Sequence, residues 1–180
     1  MTQNYTTMKT NLWSSAAANG LFLALVTIIA ALVQTAFPME GMGIATLFWA
    51  GKLATTVGLL YYFMKGFGEE QKSYLYGTAF TYGFVVSFCS NIVISCYLWL
   101  HYTFIFPDAM EKSLEATERI FVQYNMDQTA MDLLVKYMPL IITIVPLVLY
   151  TIYALIFAAI LAAFVKKAEP PFANENGSVV

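Results

Sequence analysis

The sequence predicts an all-α integral membrane protein: a four-helix bundle with an amphipathic extracytoplasmic helical segment between its third and fourth helices. Three observations predict it. Of 180 residues, 59% are apolar and only 11% are charged, where a soluble domain carries about 25% charged residues. Four apolar runs are each long enough to cross a hydrocarbon core about 30 Å thick, which takes about 20 helical residues. The charges avoid those runs: of nine Lys and Arg and eleven Asp and Glu, only Lys52 lies well inside one. The same figures exclude other classes. The chain is too apolar for disorder. It is also too small to hide such a composition in a soluble fold, because much of any small domain stays exposed. Its charge balance, a formal net of −2, leaves no basic footprint for nucleic acid.

The first run, 12–37, is longer than the apolar core of a signal peptide. It ends in Gln34-Thr35-Ala36-Phe37-Pro38, a poor small-residue cleavage site, so it reads as a retained membrane helix. The second run is 44–65 and the third 74–106. Cys89 and Cys96 both fall in the third, about 10 Å apart along a helix axis. That is too far for a mutual disulfide, and they read as small buried hydrophobes. The fourth run, 140–165, contains Pro146. That residue removes a backbone donor, frees the carbonyl of Ile142 and should kink the helix, with Thr143 placed to help satisfy the gap. These runs form one transmembrane domain, 1–167. Residues 168–180, rich in proline and then polar, read as a disordered cytoplasmic tail.

The segment 107–139 is more than a link. It carries six carboxylates against Lys112, Arg119 and Lys136. Met110, Leu114, Thr117, Phe121 and Tyr124 recur at helical spacing, and Glu111, Lys112, Glu115, Glu118 and Arg119 occupy the other face. Asn125 to Asp127 can break this helix, Asp127 can cap a second one, and Met131, Leu134 and Met138 continue a stripe there. The segment is expected to lie on the membrane surface, dock a partner, or pack on the mouth of its own bundle.

Basic residues set the orientation. Lys9 precedes the first run, Lys65 and Lys72 flank the second connection, and Lys166 and Lys167 follow the fourth run. The first connection carries Glu40 and no basic residue. Both termini and the second connection are therefore expected in the cytoplasm.

Small residues recur four apart inside the runs. Thr46, Ala50, Ala54 and Gly58 form one series. Ala79, Gly83, Ser87, Asn91 and Ser95 form a second, and Ala154, Ala158 and Ala162 a third. The first run offers Ala16, Gly20, Ala24, Thr27 and Ala31. In lipid, such residues let helices approach closely, within a bundle or between protomers. The alternative for the third run is a polar path along Ser87, Asn91 and Ser95.

Lys52 is the sharpest single feature. An ammonium in mid-membrane costs about 2.5 to 3.5 kcal/mol on insertion scales unless it is paired or hydrated. It lies about eight residues, or roughly 12 Å, from the outer end of its run, with Thr55 and Thr56 on its own face. Asn91, His101 or Gln34 are its possible hydrogen-bond partners. Either the stem snorkels to the interface, or the ammonium contacts an anion or phosphate. His101, the one histidine, lies among interfacial aromatics. With no His/Cys cluster and no triad or carboxylate pair in the membrane, no metal site, no cofactor and no catalytic residue is expected.

This layout resembles the small four-helix inner-membrane proteins of Bacteroidota known as domain of unknown function 4199. The resemblance rests on the short first connection, the turn into Tyr76-Gly77-Thr78-Ala79-Phe80-Thr81-Tyr82-Gly83, and the third run ending at Pro107-Asp108. The charged amphipathic connection and the last helix ending at Lys166-Lys167 also carry it. The family has no established activity and no active site to carry over. Its members are often encoded beside a glycosyltransferase of the polyprenyl-phosphate-sugar type, and the resemblance therefore implies a role in envelope biogenesis. The expected function is then a non-enzymatic accessory or assembly subunit for a membrane-associated partner, contacted through the cytoplasmic connection 66–72. The alternative is a small oligomeric transporter or flippase for a lipid-linked or anionic solute, with Lys52, Asn91 and His101 on its path.

Overall fold

The structure is a computed structural model, and it describes residues 3–37, 42–71, 73–124 and 127–166. Its elements are α1 (Gln3–Ala36), α2 (Met42–Glu69), α3 (Tyr76–Leu100), a π-helical turn (His101–Ile105), α4 (Pro107–Gln123) and α5 (Gln128–Val165). Among the described residues there is no strand. Four helical segments are long and apolar enough to cross a membrane: Leu12–Ala36, Gly43–Glu69, Tyr76–Ile105 and Thr129–Val165. The tail 168–180, Glu40, Lys72 and Lys167 lie outside the described residues.

Two boundaries differ from the sequence reading. Residues 66–69 were expected in a connection but continue α2. Phe67 turns inward there, stacking on Tyr82 at 4.1 Å between ring centroids and meeting Tyr74 edge-on, so burial of an aromatic ring outweighs the low helix propensity of Gly66 and Gly68. Neither Phe67 nor Gly68 is open to a partner; Glu69 and Glu70 are. The second difference is that 128–139 is not a separate outer helix. It runs through Pro139 and Pro146 into the fourth span. At 1.5 Å per residue, α5 is about 57 Å long, so a hydrocarbon core of about 30 Å leaves several turns projecting beyond it. Thr143 does not serve the carbonyl of Ile142. Its Oγ donates instead to the carbonyl of Pro139 at 2.9 Å, the four-back bond natural to a helical threonine.

Helix α3 is the axis of the bundle. It packs along both α1 and α5. The contact with α1 is parallel: Ser15 meets Tyr82 and, 20 residues on, Thr35 meets His101 at nearly the same sequence offset. α5 runs antiparallel, with the Tyr76 hydroxyl donating to the carbonyl of Ala159 near its end. Gly20 makes the close approach of α1 possible, since a Cβ there would lie 2.6 Å from the carbonyl oxygen of Val86.

α2 behaves differently along its length. Leu60, Met64 and Phe67 are buried in the core, whereas most of 43–55 is exposed. The helix is clamped at its Glu69 end and stands off the bundle toward Met42. Around the outside, Leu25, Ile29, Leu47, Val148, Ile152 and Phe164 are exposed apolar side chains, the surface a bilayer covers.

In α4, Met110, Leu114, Thr117 and Phe121 are half-buried and the charged face is exposed. Tyr124 leaves the stripe because the helix ends at Gln123. The Asp127 carboxylate accepts the amide of Thr129 at 3.0 Å, capping α5. Asp127→Ala is expected to fray the first turn of α5 at a cost of about 1 kcal/mol. Faster amide hydrogen exchange at 129–131, with the spans unchanged, is the measurement that checks it.

Candidate intramembrane binding cavity

Because α2 diverges from its neighbours, a cavity of about 450 Å³ opens inside the membrane-spanning region. All four spans line it. α1 contributes Leu23 and Thr27, α2 contributes Trp49, Lys52 and Thr56, α3 contributes Ser87, Ser90 and Asn91, and α5 contributes Tyr150, Tyr153 and Ala154. Apolar walls come from Leu53, Val57, Leu60, Ile94 and Phe157. A groove of about 370 Å³ between α1 and α2, lined by Val26, Ala30, Leu47, Phe48, Gly51 and Thr55, shares Thr27, Lys52 and Thr56 with the cavity. Lys52 therefore stands where cavity and groove meet.

The chemistry of the lining follows from bonds already made. Thr27 Oγ donates to the carbonyl of Leu23 at 3.0 Å, and Thr56 Oγ to the carbonyl of Lys52 at 2.9 Å. Their protons are committed to their own helices, so toward the cavity they offer lone pairs. Thr55 does the same with Gly51. Asn91 is the reverse case. It is 93% buried, and its Nδ2 has no hydrogen-bond partner. A buried amide donor left unpaired costs about 1–3 kcal/mol. Lys52 is half-buried and makes no ion pair with any described residue. No carboxylate lines the cavity.

The structure thus brings together Lys52 and Thr56 of α2 with Ser87 and Asn91 of α3. Thr55 lies on the groove. Ser95 is buried with an unpartnered hydroxyl, but it does not line the cavity. His101 stands apart, ten residues beyond Asn91 and so about 15 Å along the helix. It is a tie between helices: Nδ1 meets the Tyr97 hydroxyl at 2.8 Å and Nε2 meets Thr35 Oγ at 3.2 Å. Thr35 already donates to Ala31, so Nε2 carries the ring proton and Nδ1 accepts from Tyr97. Gln34 is exposed on α1 and does not line the cavity.

The small-residue series part company in the same way. Gly83, Ser87, Ala154, Ala158 and Ala162 are buried, Gly83 against both Met64 of α2 and Ala158 of α5; Ala16, Gly20 and Ala24 are buried too, with Gly20 against α3. Ala50, Ala54 and Gly58 are exposed on the outer side of α2, with open space beyond Gly58. They make no packing contact inside the bundle. Sequence reasoning did not single out Ser90, Tyr150 and Tyr153. Ser90 stands three residues after Ser87, and Tyr150 four before Ala154, so helical spacing from residues already marked would have found both.

Four membrane-crossing helices around a polar intramembrane cavity define a multi-pass α-helical membrane protein. More particularly, the chain belongs to the family described as Protein of unknown function (DUF4199), whose model matches residues 16–167. No curated protein and no solved structure matches it.

Proposed function

We propose that this is a non-enzymatic membrane protein that holds a membrane-borne ligand in the cavity and serves a membrane-associated enzyme as an accessory subunit. The observation that carries the reading is that Lys52 and an unpartnered, buried Asn91 amide line one cavity. Ionisable residues in membrane spans face cavities and mark ligand pathways, and a cavity of this size falls in the range of small-molecule sites, about 300–1,000 Å³. The outward series Ala50, Ala54 and Gly58 supports a partner, because small residues in lipid let a further helix approach closely. That helix belongs to another membrane protein or to a second copy. The orientation read from the basic residues puts both termini in the cytoplasm of an inner-membrane protein. A glycosyltransferase acting on polyprenyl phosphate in envelope biogenesis is the partner the family resemblance suggests.

Purification from native membranes in mild detergent, with mass spectrometry of bound proteins and lipids, is the test. A reproducible partner and about one retained lipid per chain are expected. A protein that always isolates alone and empty would sink the reading. A second reading is a small oligomeric transporter or flippase, favoured by the continuity of cavity and groove at Lys52. It predicts flux in proteoliposomes that falls in Lys52→Ala.

A further inference from the structure

We infer that the cavity takes the head of a single-headed anionic amphiphile, a phosphate or carboxylate on a long apolar chain, with Lys52 and Asn91 holding the head and the groove between α1 and α2 holding the chain. The inference rests on the reading of the cavity as a ligand site and names the ligand's chemistry.

Charge selects the head. Lys52 has no described carboxylate beside it, and a charge in this setting is stable only when paired or hydrated. An anion supplies the pair. The Asn91 amide is a second donor without an acceptor, and an anionic oxygen is the strongest acceptor available. Thr27 and Thr56 have already given their protons to backbone carbonyls. Their lone pairs suit an ammonium and add no donors for the anion. A cationic ligand meets Lys52 with like charge, and a neutral lipid leaves it unpaired.

The walls select the chain. Leu53, Val57, Leu60 and Phe157 surround the polar cluster, and the groove continues past Lys52 along Val26, Ala30, Leu47 and Phe48. A bare hydrated anion would leave these surfaces uncovered. A chain of methylenes covers them while the head stays at the junction. The groove runs toward the ends of α1 and α2 that the first connection joins, so the chain lies alongside the helices.

The test uses the full chain in phosphatidylcholine nanodiscs, with Trp49, which lines the cavity, as the reporter. Trp13 and Trp99 lie outside it and are replaced by Phe. Hexadecyl phosphate and palmitate are expected to change Trp49 emission saturably, at one per chain. Hexadecanol and inorganic phosphate are expected to leave it unchanged. Lys52→Met should weaken binding at least tenfold and Asn91→Leu severalfold. Lys52→Arg should retain binding, and so should Lys65→Met, at an exposed position near the end of α2. Equal binding by hexadecanol, or undiminished affinity in Lys52→Met, would overturn the anionic head. A full response to inorganic phosphate alone would overturn the chain and assign the site to a soluble anion. Native mass spectrometry separates this failure from that of the parent reading. A retained neutral lipid overturns the anion only, whereas no retained lipid and no titration overturn the cavity as a ligand site.

Discussion

Gly20→Leu is expected to lever α1 off α3 and to cost more stability than changes at Gly83 or Gly58. A Cβ at Gly20 meets the carbonyl oxygen of Val86 at 2.6 Å, Cys89 Cβ at 2.9 Å and the Ser90 amide at 3.3 Å. Two of these three atoms are backbone and cannot swing aside, so the helices must separate. Overpacking of this kind costs about 1–3 kcal/mol, and occasionally more. Two other glycines calibrate it. A Cβ at Gly83 meets Met64 Sδ and Cε at 2.7 and 2.9 Å. Those atoms end a flexible side chain that repacks cheaply, so Gly83→Ala should cost less than Gly20→Ala. Gly58 faces open space, and Gly58→Ala should be neutral to slightly stabilising, since alanine is the better helix former. Thermal unfolding in one detergent, compared across the series, checks the order. Equal melting of the Gly20 and Gly58 variants would show that α1 does not pack on α3 as described.

Tyr82→Ala is expected to have an effect of similar or greater size, about 3–5 kcal/mol, as for other buried aromatic residues cut to alanine. The ring is fully buried and stacked on Phe67 with only 8° between planes. It thereby anchors the clamped end of α2. The hydroxyl accepts a hydrogen bond from Asn19 Nδ2 at 2.7 Å and meets Ser15 Oγ at 3.0 Å. Side-chain hydrogen bonds between membrane helices average about 0.6 kcal/mol, so packing outweighs polarity here. Tyr82→Phe should lose about 1 kcal/mol or less, and Tyr82→Ala several times that. A Phe variant as unstable as the Ala variant would put the energy in the hydroxyl and contradict this account.

The two predictions also mark what could be read in advance. The number of spans, their approximate limits and the cap at Asp127 were legible, because hydropathy and capping chemistry are local. Lys52 was legible as an anomaly, because a charge inside an apolar run is one wherever the helix faces. Its surroundings were not legible. Asn91 was among its possible partners, and the structure places it on the same cavity. His101 and Gln34 were equally eligible on spacing, but His101 is tied to Tyr97 and Thr35, and Gln34 is exposed away from the cavity. The helical end of α2 was missed because the ring of Phe67 finds its partner in Tyr82, fifteen residues on and in another helix.

The small-residue series make the division sharpest. Ala50-Ala54-Gly58 and Ala154-Ala158-Ala162 follow the same pattern, yet one faces outward and the other is buried against α3. A soluble helix reveals its inner face by being apolar on that side alone. A membrane helix is apolar all round, since lipid is as good a solvent for leucine as the protein interior is. Composition and charge placement therefore settled that this chain crosses the membrane four times with one charge inside. Close packing among helices, which hydropathy does not encode, decided which stripe is internal, left half of α2 standing away, and so opened the cavity in which that charge lies.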